Sequence, residues 1–341
     1  MFERMTNAKL DELHFRSDSS TGLHAIIAIH NTRLGPALGG TRFISYDSTN
    51  NAITDAIRLA KGMSYKAALA GIESGGGKAV IIKPLHAFDR NALFNKFGEF
   101  INSLNGNYIT AMDSGTTMDD MDAIATKTQY VTSTTRSGDP SPYTAKGVFL
   151  SIKAAVAYKL GKESLDGVTI AVQGLGHVGG ELVRLLAEAD ARIIICDVDK
   201  NKTEHFARCF KTDTATPDAI YQTKCDVFAP CGLGAILNDQ TIPQLQCKII
   251  AGAANNQLTE ERHGLDIFQR DILYAPDYVV NAGGLIYVAL NHQGISHNII
   301  YERLNNIENS LSQIFEQADN AGTATSEVAD QLAEDIIFNQ Q

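Results

Sequence analysis

The chain has 341 residues, 44% of them hydrophobic and 20% charged, with a formal net charge of −10. That length suits two domains, and the composition is that of an ordinary folded globular protein. The acidic balance and the lack of any basic run argue against a nucleic-acid partner, and no apolar stretch approaches the roughly 18 residues needed to span a bilayer.

The amino-terminal stretch MFERMTNAKLDELHF is mixed in charge and has no apolar core, so it is not expected to be a signal peptide. The five cysteines, Cys196, Cys209, Cys225, Cys231 and Cys247, are odd in number, fall in the second half and form no C-x-x-C pair. Reduced thiols in a cytoplasmic protein are expected, not a disulfide framework or a zinc ribbon. The nine histidines show no H-E-x-x-H spacing, and no metal is expected.

Residues 1 to about 20 are expected to form a short amphipathic helix and a loop. The run LHAIIAIH (23–30) is a buried strand closed by the turn residues NTRLGP. In ALGGTRF (37–43), Gly39 and Gly40 either turn main-chain N–H groups towards a ligand or mark a β-bulge. Residues 51–70 have helical spacing, with Ile53, Ala56, Ile57, Ala60, Met63 and Ala67 on one face. Lys66 lies beside Met63 near the end of that helix, as a ligand-binding cation or as a stem lying along the apolar stripe.

SGGGKAVII (74–82) follows. Three consecutive glycines cost backbone entropy. Either they let backbone approach a ligand, with Lys78 held at the rim as a general base, or they form a turn between solvated lysines. A helix over 89–104 and a short strand over 108–115 come next. Asp113 at the end of that strand either projects into a cleft or caps the helix over 117–126. The polar stretch STTRSGDPSP (133–142) is a domain boundary, and a helix over 145–160 follows it.

From there strands and helices alternate. VTIAVQ (168–173) is a strand, and Gly174-Leu175-Gly176-His177-Val178-Gly179, followed by Gly180, is G-x-G-x-x-G. It opens a helix over 181–189, and the next strand, RIIICD (192–197), ends in Asp197 before Val198. Strand before, helix after and an acid at the end of the next strand are the context a dinucleotide fingerprint requires. Asp197 would bond ribose hydroxyls and repel a 2′-phosphate, so the cofactor is expected to be NAD and not NADP. Further strands are expected at 225–230, 248–253 and 272–275. Ala253-Ala254-Asn255-Asn256 and Asn281-Ala282-Gly283-Gly284 sit at such strand ends, where a ligand is expected, although Asn255 also suits a plain turn. A helical tail over 301–337 breaks at Asn320-Ala321-Gly322.

The segments LGPALGGTR (34–42), GMSYKAALAG (62–71), SGGGKAVI (74–81), ITAMDSGTT (109–117), VQGLGHVGG (172–180), AGAANNQL (251–258) and YAPDYVVNAGGLI (274–286) occur in one order along nearly the whole chain. In this the chain resembles the bacterial amino acid dehydrogenases for leucine, valine and phenylalanine, relatives of glutamate dehydrogenase. The resemblance implies an α/β protein of two domains, with the active site in the cleft between them. Residues 1–137, joined by the C-terminal segment 318–341, would bind substrate and form a homo-oligomer. Residues 138–317 would be a Rossmann NAD-binding domain.

It also implies roles. Lys66 looks like the lysine that pairs with the substrate carboxylate, helped by Gly39 and Gly40. Lys78 looks like the catalytic base and Asp113 like its acidic partner. Leu38, Met63, Ala111, Leu285 and Val288 would receive an apolar side chain, and Asn255 would lie near the amino group. Thr144, Gly174, Gly176, Gly179, Asp197 and Asn255 match cofactor-contact positions, with Leu175, His177, Val178, Gly180, Val198 and Ala253 beside them. The reaction implied is oxidative deamination of a small-molecule substrate, an apolar L-amino acid. Hydride passes from Cα to NAD, and water attacks the imine to give a 2-oxo acid and ammonia. Lys78 would have to act in its neutral form, with Lys66 and burial lowering its pKa.

The resemblance leans to the branched-chain members through LGAILNDQTIPQL (233–245). Met112, Leu285 and Tyr287 depart from the leucine enzymes, and a pocket methylene is worth only about 1–3 kcal/mol of discrimination. The alternatives are a phenylalanine dehydrogenase and a catalytically silent NAD-binding regulatory protein. The trio Lys66, Lys78 and Asp113 argues against the second.

Overall fold

The structure, a computed structural model, describes residues 1–232 and 234–339. Leu233, the first residue of LGAILNDQTIPQL, and Gln340 and Gln341, the end of the expected 318–341 segment, lie outside the described residues. The chain divides into two compact units. Among the described residues, unit 1 comprises Met1–Asp139, Val288–Ser296 and 333–339; unit 2 comprises Pro140–Tyr287 and His297–Leu332.

Unit 1 contains α1 (Phe2–Asn7), β1 (Glu12–Asp18), β2 (Leu23–Asn31), β3 (Ala37–Ile44), α2 (Thr49–Leu69), β4 (Gly75–Ile82), α3 (Arg90–Asn102), β5 (Tyr108–Met112) and α4 (Met118–Ala125). Its five-stranded sheet has the order β1-β2-β4-β3-β5. β1 and β4 run antiparallel to β2, whereas β4 and β5 run parallel to β3. β1 falls where a loop is expected. ELHFRSD alternates only over its first five residues, with Leu13 and Phe15 apolar, and pairing from Glu12↔Ile29 to Asp18↔Leu23 with its one partner makes it an edge strand.

Ser48 caps α2 by accepting the Asn51 N–H. The apolar stripe of α2 covers one sheet face, where Ala52, Ile53, Ala56, Ile57 and Ala60 pack on Ile26, Ala28 and Val80. The opposite face carries Ile27, Ile29, Phe43, Ala79, Ile81 and Tyr108 against Leu93, Phe94, Phe97, Met121 and Ile124 of α3 and α4. These two sets alternate along β2 and β4, as a strand buried on both faces requires.

Unit 2 begins with α5 (Ser141–Leu160), β6 (Thr169–Gln173), α6 (His177–Glu188), β7 (Arg192–Cys196), α7 (Lys200–Phe210), β8 (Asp213–Thr214), β9 (Val227–Pro230) and β10 (Ile249–Ile250). It continues with α8 (Arg262–Gln269), β11 (Leu273–Tyr274), α9 (Asp277–Val280), α10 (Gly283–His292), α11 (His297–Arg303), α12 (Asn305–Ala321) and α13 (Thr325–Glu334). The unit division falls inside α10, and a π-helical turn, Asp335–Asn339, ends the described chain in unit 1. The break in the helical tail is Gly322, which closes α12 in the left-handed conformation (φ 63°).

The second sheet is wholly parallel, in the order β11-β10-β9-β6-β7-β8. Numbered within the unit this is 6-5-4-1-2-3, the doubly wound dinucleotide-binding order. The order reverses between β6 and β9, and the glycine-rich turn sits there.

Candidate active site

The site in unit 1 is built on the sheet face that α2 covers. Register fixes which residues share it. Ala28↔Lys78, Leu38↔Gly76 and Gly40↔Ala111 are cross-strand partners, so Gly76, Lys78, Leu38, Gly40, Arg42 and Ala111 all point towards α2. Asp113 follows Ala111 by two residues and reaches the same face from the carboxyl end of β5. Its Oδ2 forms an ion pair with the Nζ of Lys78, whose side chain is 8% exposed.

Asp113 does not cap α4. That task falls to Thr117 and Asp120, which form a reciprocal capping box. The Asp113 backbone N–H instead donates to Thr116 Oγ1 at 2.9 Å, fixing the corner. Burial opposes ionisation of Asp113, but the Lys78 ammonium, and behind it Arg42, hold the carboxyl below the usual carboxylate range.

The glycine triplet is not a turn. Gly75, Gly76 and Gly77 are the first three residues of β4, and protein atoms press on each of them. A Cβ on Gly75 would lie 2.0 Å from the Asn31 carbonyl oxygen, one on Gly76 2.1 Å from the Ser64 nitrogen, and one on Gly77 2.7 Å from the Tyr108 ring. The same holds across the sheet. A Cβ on Gly39 would lie 1.7 Å from the Gly77 carbonyl oxygen, and one on Gly40 2.7 Å from Asp113 Cβ. Gly40 therefore makes room for Asp113. Pairing runs unshifted from Leu38↔Gly76 to Thr41↔Ala79, so Gly39 and Gly40 do not form a bulge. The Gly39 carbonyl accepts the Tyr108 hydroxyl proton at 2.7 Å.

The close approach of Ser64 to Gly76 anchors the end of α2. Ser64 Oγ lies 2.8 Å from His30 Nδ1 and accepts from Asn31 Nδ2 at 3.0 Å. His30 is fully buried, and desolvation, then the nearby Lys61 charge, lower its pKa to about 4, so the anchor is a neutral imidazole at ordinary pH. Met63 and Lys66, half-buried in the last two turns of α2, flank this anchor. Leu38 and Ala111 are buried on the face shared with Lys78. Val288 belongs to unit 1 and Leu285 to unit 2, both buried in α10. His30, Ser64, Arg42 and Asp55 escaped the sequence reading, because cross-strand register brings in His30 and Arg42 and the packing of α2 on the sheet brings in Ser64 and Asp55.

In unit 2 the residues fit a dinucleotide. Gly174 adopts φ +98° between β6 and α6, and a Cβ on Gly179 would lie 1.9 Å from the Gly174 carbonyl oxygen. A Cβ on Gly176 would meet nothing within 4 Å, so the open side of the turn is there. Gly176 is the N-cap of α6, and the first-turn N–H groups of His177, Val178 and Gly179 are the ones a pyrophosphate can occupy. Gly180 serves packing, since a Cβ there would lie 2.7 Å from the Phe206 ring.

Asp197, expected to meet the ribose, makes backbone bonds of its own. Its Oδ2 accepts the Leu175 N–H at 2.7 Å and its Oδ1 the Asp199 N–H at 2.9 Å, so it also ties the glycine turn to the end of β7. The remaining lone pairs are free for ribose hydroxyls, and Val198 beside it is 88% exposed. Asp197→Ala is therefore expected to raise the KM for NAD about 10- to 100-fold, the scale of losing hydrogen bonds to a charged group. It should also narrow the preference for NAD over NADP, as initial rates with each cofactor will show.

Ala253 and Asn255 follow β10. The Asn255 Oδ1 accepts from Asn281 Nδ2 at 2.8 Å, and the Ala253 carbonyl accepts from the same nitrogen at 3.1 Å. Asn281 thus links the two strand-end segments. Thr144 lies in the first turn of α5, and a Cβ on Gly284 would come 2.6 Å from its Oγ1, so the glycines of NAGG seat α10 against α5. One cluster of metal-type donors occurs among the described residues, Asp239, His263 and Asp266. Arg262 bridges its two carboxylates at 2.8 and 3.5 Å, which makes it a salt-bridge network.

Two family models match the chain, "Glu/Leu/Phe/Val dehydrogenase, dimerisation domain" over residues 8–130 and "Glutamate/Leucine/Phenylalanine/Valine dehydrogenase" over residues 195–337. The leucine dehydrogenase of Bacillus subtilis is 50% identical over 293 residues, 85% of this chain and 80% of the relative. The phenylalanine dehydrogenase of Lysinibacillus sphaericus is 44% identical over 300 residues, 85% of this chain and 78% of the relative. The crystal structure of L-tryptophan dehydrogenase from Nostoc punctiforme superposes with a TM-score of 0.90 at 45% identity, covering 99% of both chains.

Proposed function

The chain belongs to the Glu/Leu/Phe/Val dehydrogenase family, and from that premise we propose that it catalyses the reversible oxidative deamination of branched-chain L-amino acids to 2-oxo acids and ammonia. It is an amino acid dehydrogenase acting on the CH–NH2 group, with NAD as cofactor. NAD, when bound, supplies the hydride acceptor for the substrate Cα. The observation that carries the reading is the ion pair of buried Lys78 with half-buried Asp113 on the sheet face covered by α2, with Lys66 in the last turn of that helix.

Each residue then has a task. The Lys66 ammonium binds the substrate carboxylate and so sets where Cα lies. Lys78 in its neutral form takes the proton from the water that attacks the imine, and Asp113 is the carboxylate to which that proton passes. Gly40 keeps the space in which Asp113 meets Lys78. Leu38, Met63, Ala111, Leu285 and Val288 offer apolar surface and no cation for a distal carboxylate, which supports an apolar substrate over glutamate.

Substrate binding and assembly into a homo-oligomer are assigned to residues 1–137 with the C-terminal segment 318–341, and cofactor binding to 138–317. The grouping of residues 333–339 with unit 1 supports the first assignment for that part of the segment, whereas residues 318–332 group with unit 2 and Val288–Ser296 with unit 1; the dimerisation-domain match supports the homo-oligomer. The five free cysteines support a cytoplasmic location. Among the described residues no helix is long and apolar enough to cross a membrane.

The test is a panel of L-leucine, L-isoleucine, L-valine, L-phenylalanine, L-tryptophan and L-glutamate with NAD, read as kcat/KM from NADH formation. The branched-chain substrates are expected to lead. A lead for phenylalanine or tryptophan, the reading that the 45% match to the tryptophan enzyme favours, would overturn the branched-chain assignment. Protein that binds NADH but forms none from any amino acid would instead be a silent regulatory relative.

A further inference from the structure

Arg42 stands between the catalytic pair and α2. Its Nη1 donates to Asp55 Oδ2 at 2.7 Å, and its Nε lies 3.7 Å from Asp113 Oδ2. The side chain is 20% exposed. Nε and Asp113 Oδ2 are both fully buried; Nε has no hydrogen-bond partner and Oδ2 is ion-paired with Lys78, so it is charge and not a hydrogen bond that joins Arg42 to Asp113. Asp55 is itself fixed. It also accepts the Tyr46 hydroxyl proton at 2.6 Å and lies 3.5 Å from the Arg58 guanidinium.

We infer that Arg42 is a positioning residue for the dehydrogenase reaction, holding the Asp113 carboxylate charged and aimed at Lys78 while Asp55 of α2 fixes its guanidinium. The inference rests on the reading of Lys78 as base and Asp113 as its partner. The reason is a gap that pair leaves open. When Lys78 is neutral, as a base must be, Asp113 loses the cation that offsets its burial. A guanidinium does not titrate in the working range. Arg42 is therefore the cation that remains beside Asp113 throughout the cycle. A planar fork spans Asp55 and Asp113 together, which a lysine ammonium cannot do.

The groups that face the Asp113 carboxylate are Lys78 from β4 and Arg42 from β3, with the backbone N–H and the hydroxyl of Ser114 in its own turn; Tyr108 lies on the other sheet face and feels the carboxylate only as a nearby charge. Arg42 is faced by Asp55 from α2 and by Tyr46. Loss of the Arg42 charge raises the pH at which the carboxyl protonates, so the acid limb of the rate profile must move to higher pH.

The test is the pH profile of kcat and kcat/KM for the wild type, Arg42→Met and Arg42→Lys, with the substrate the wild type turns over best. Arg42→Met is expected to lower kcat about tenfold near neutral pH, part of the 10²–10⁴ that general acid–base groups contribute. The amino-acid KM should stay within about twofold, because the substrate carboxylate is held elsewhere. The acid limb should move to higher pH. Arg42→Lys should return the limb to its wild-type position and recover only part of kcat. A Met variant whose profile superimposes on the wild type overturns the inference, as does an equal loss in both variants with the limb unmoved, which marks a packing role. NADH titration and thermal unfolding check the fold, and if Arg42→Met does not fold, Arg42→Gln must show the same limb shift. A wild type that turns over no amino acid defeats the parent reading, a distinct result.

Discussion

Lys78→Ala is expected to cut kcat by at least about 10³-fold while NADH still binds with near wild-type affinity. The rate loss follows from removing the proposed base, since a positioned general base contributes about 10²–10⁴-fold. It is placed in the upper half of that range because the half-buried Asp113 is then left beside Arg42 alone, and a carboxylate held below its usual pKa is a weak base towards water. Binding should survive because the glycine turn, the α6 N-terminus and Asp197 all lie in unit 2, whereas Lys78 lies in unit 1. Fluorescence titration with NADH alongside steady-state rates separates the two effects. Equal loss of both would contradict the assignment of base and cofactor site to different units.

Gly76→Ala is expected to destabilise the protein by about 3 kcal/mol or more and to raise the amino-acid KM. The added methyl would sit 2.1 Å from the Ser64 nitrogen and 2.6 Å from its Cα. Those are backbone atoms of a helix and cannot swing aside. Overpacking of this kind usually costs about 1–3 kcal/mol, and a backbone clash belongs at or above the top of that range. To relieve it α2 must lift from β4, breaking the bonds of Ser64 to His30 and Asn31 and displacing Lys66 two residues on. Gly62 is the control. A Cβ there meets nothing within 4 Å, so Gly62→Ala in the same helix should be neutral or stabilising by up to about 1 kcal/mol. Denaturant midpoints and KM values for both variants decide the matter. Equal stability of the Gly76 variant and the wild type would mean that the triplet is not there for packing.

The two units differed in how far local pattern revealed them. In unit 2 the connections are short and each strand–turn–helix signal is contiguous, so β6, the glycine turn, α6, β7 and Asp197 could be placed from residues 168–197 alone. The strands β9, β10 and β11 were visible too, although shorter in the structure than their apolar runs. In unit 1 the sheet is mixed and its neighbours are distant in sequence. SGGGK suits a turn between lysines or a backbone that approaches a ligand; the turn is replaced by a strand, and the crowding at Gly75, Gly76 and Gly77 comes from Asn31, Ser64 and Tyr108, residues remote from the triplet. β1 reads as a loop for a related reason, since its pairing with β2 and not its brief alternation makes it a strand.

By itself the sequence determined the class of the protein. The glycine turn with its flanking strands and Asp197 specifies a dinucleotide fold, and the ordered motifs from LGPALGGTR to NAGGLI specify the family, because each is a local pattern whose chemistry depends on spacing along the chain. Only the tertiary structure decided which groups meet. It seats Asp113 on Lys78 across the space that Gly40 leaves open, brings Arg42 and Asp55 behind them, and gives the glycine triplet to the packing of α2. The physical reason is register. A strand's alternation says which residues share a face, but pairing across β2, β4, β3 and β5 settles which side chains on that face touch, and hence which charges offset one another.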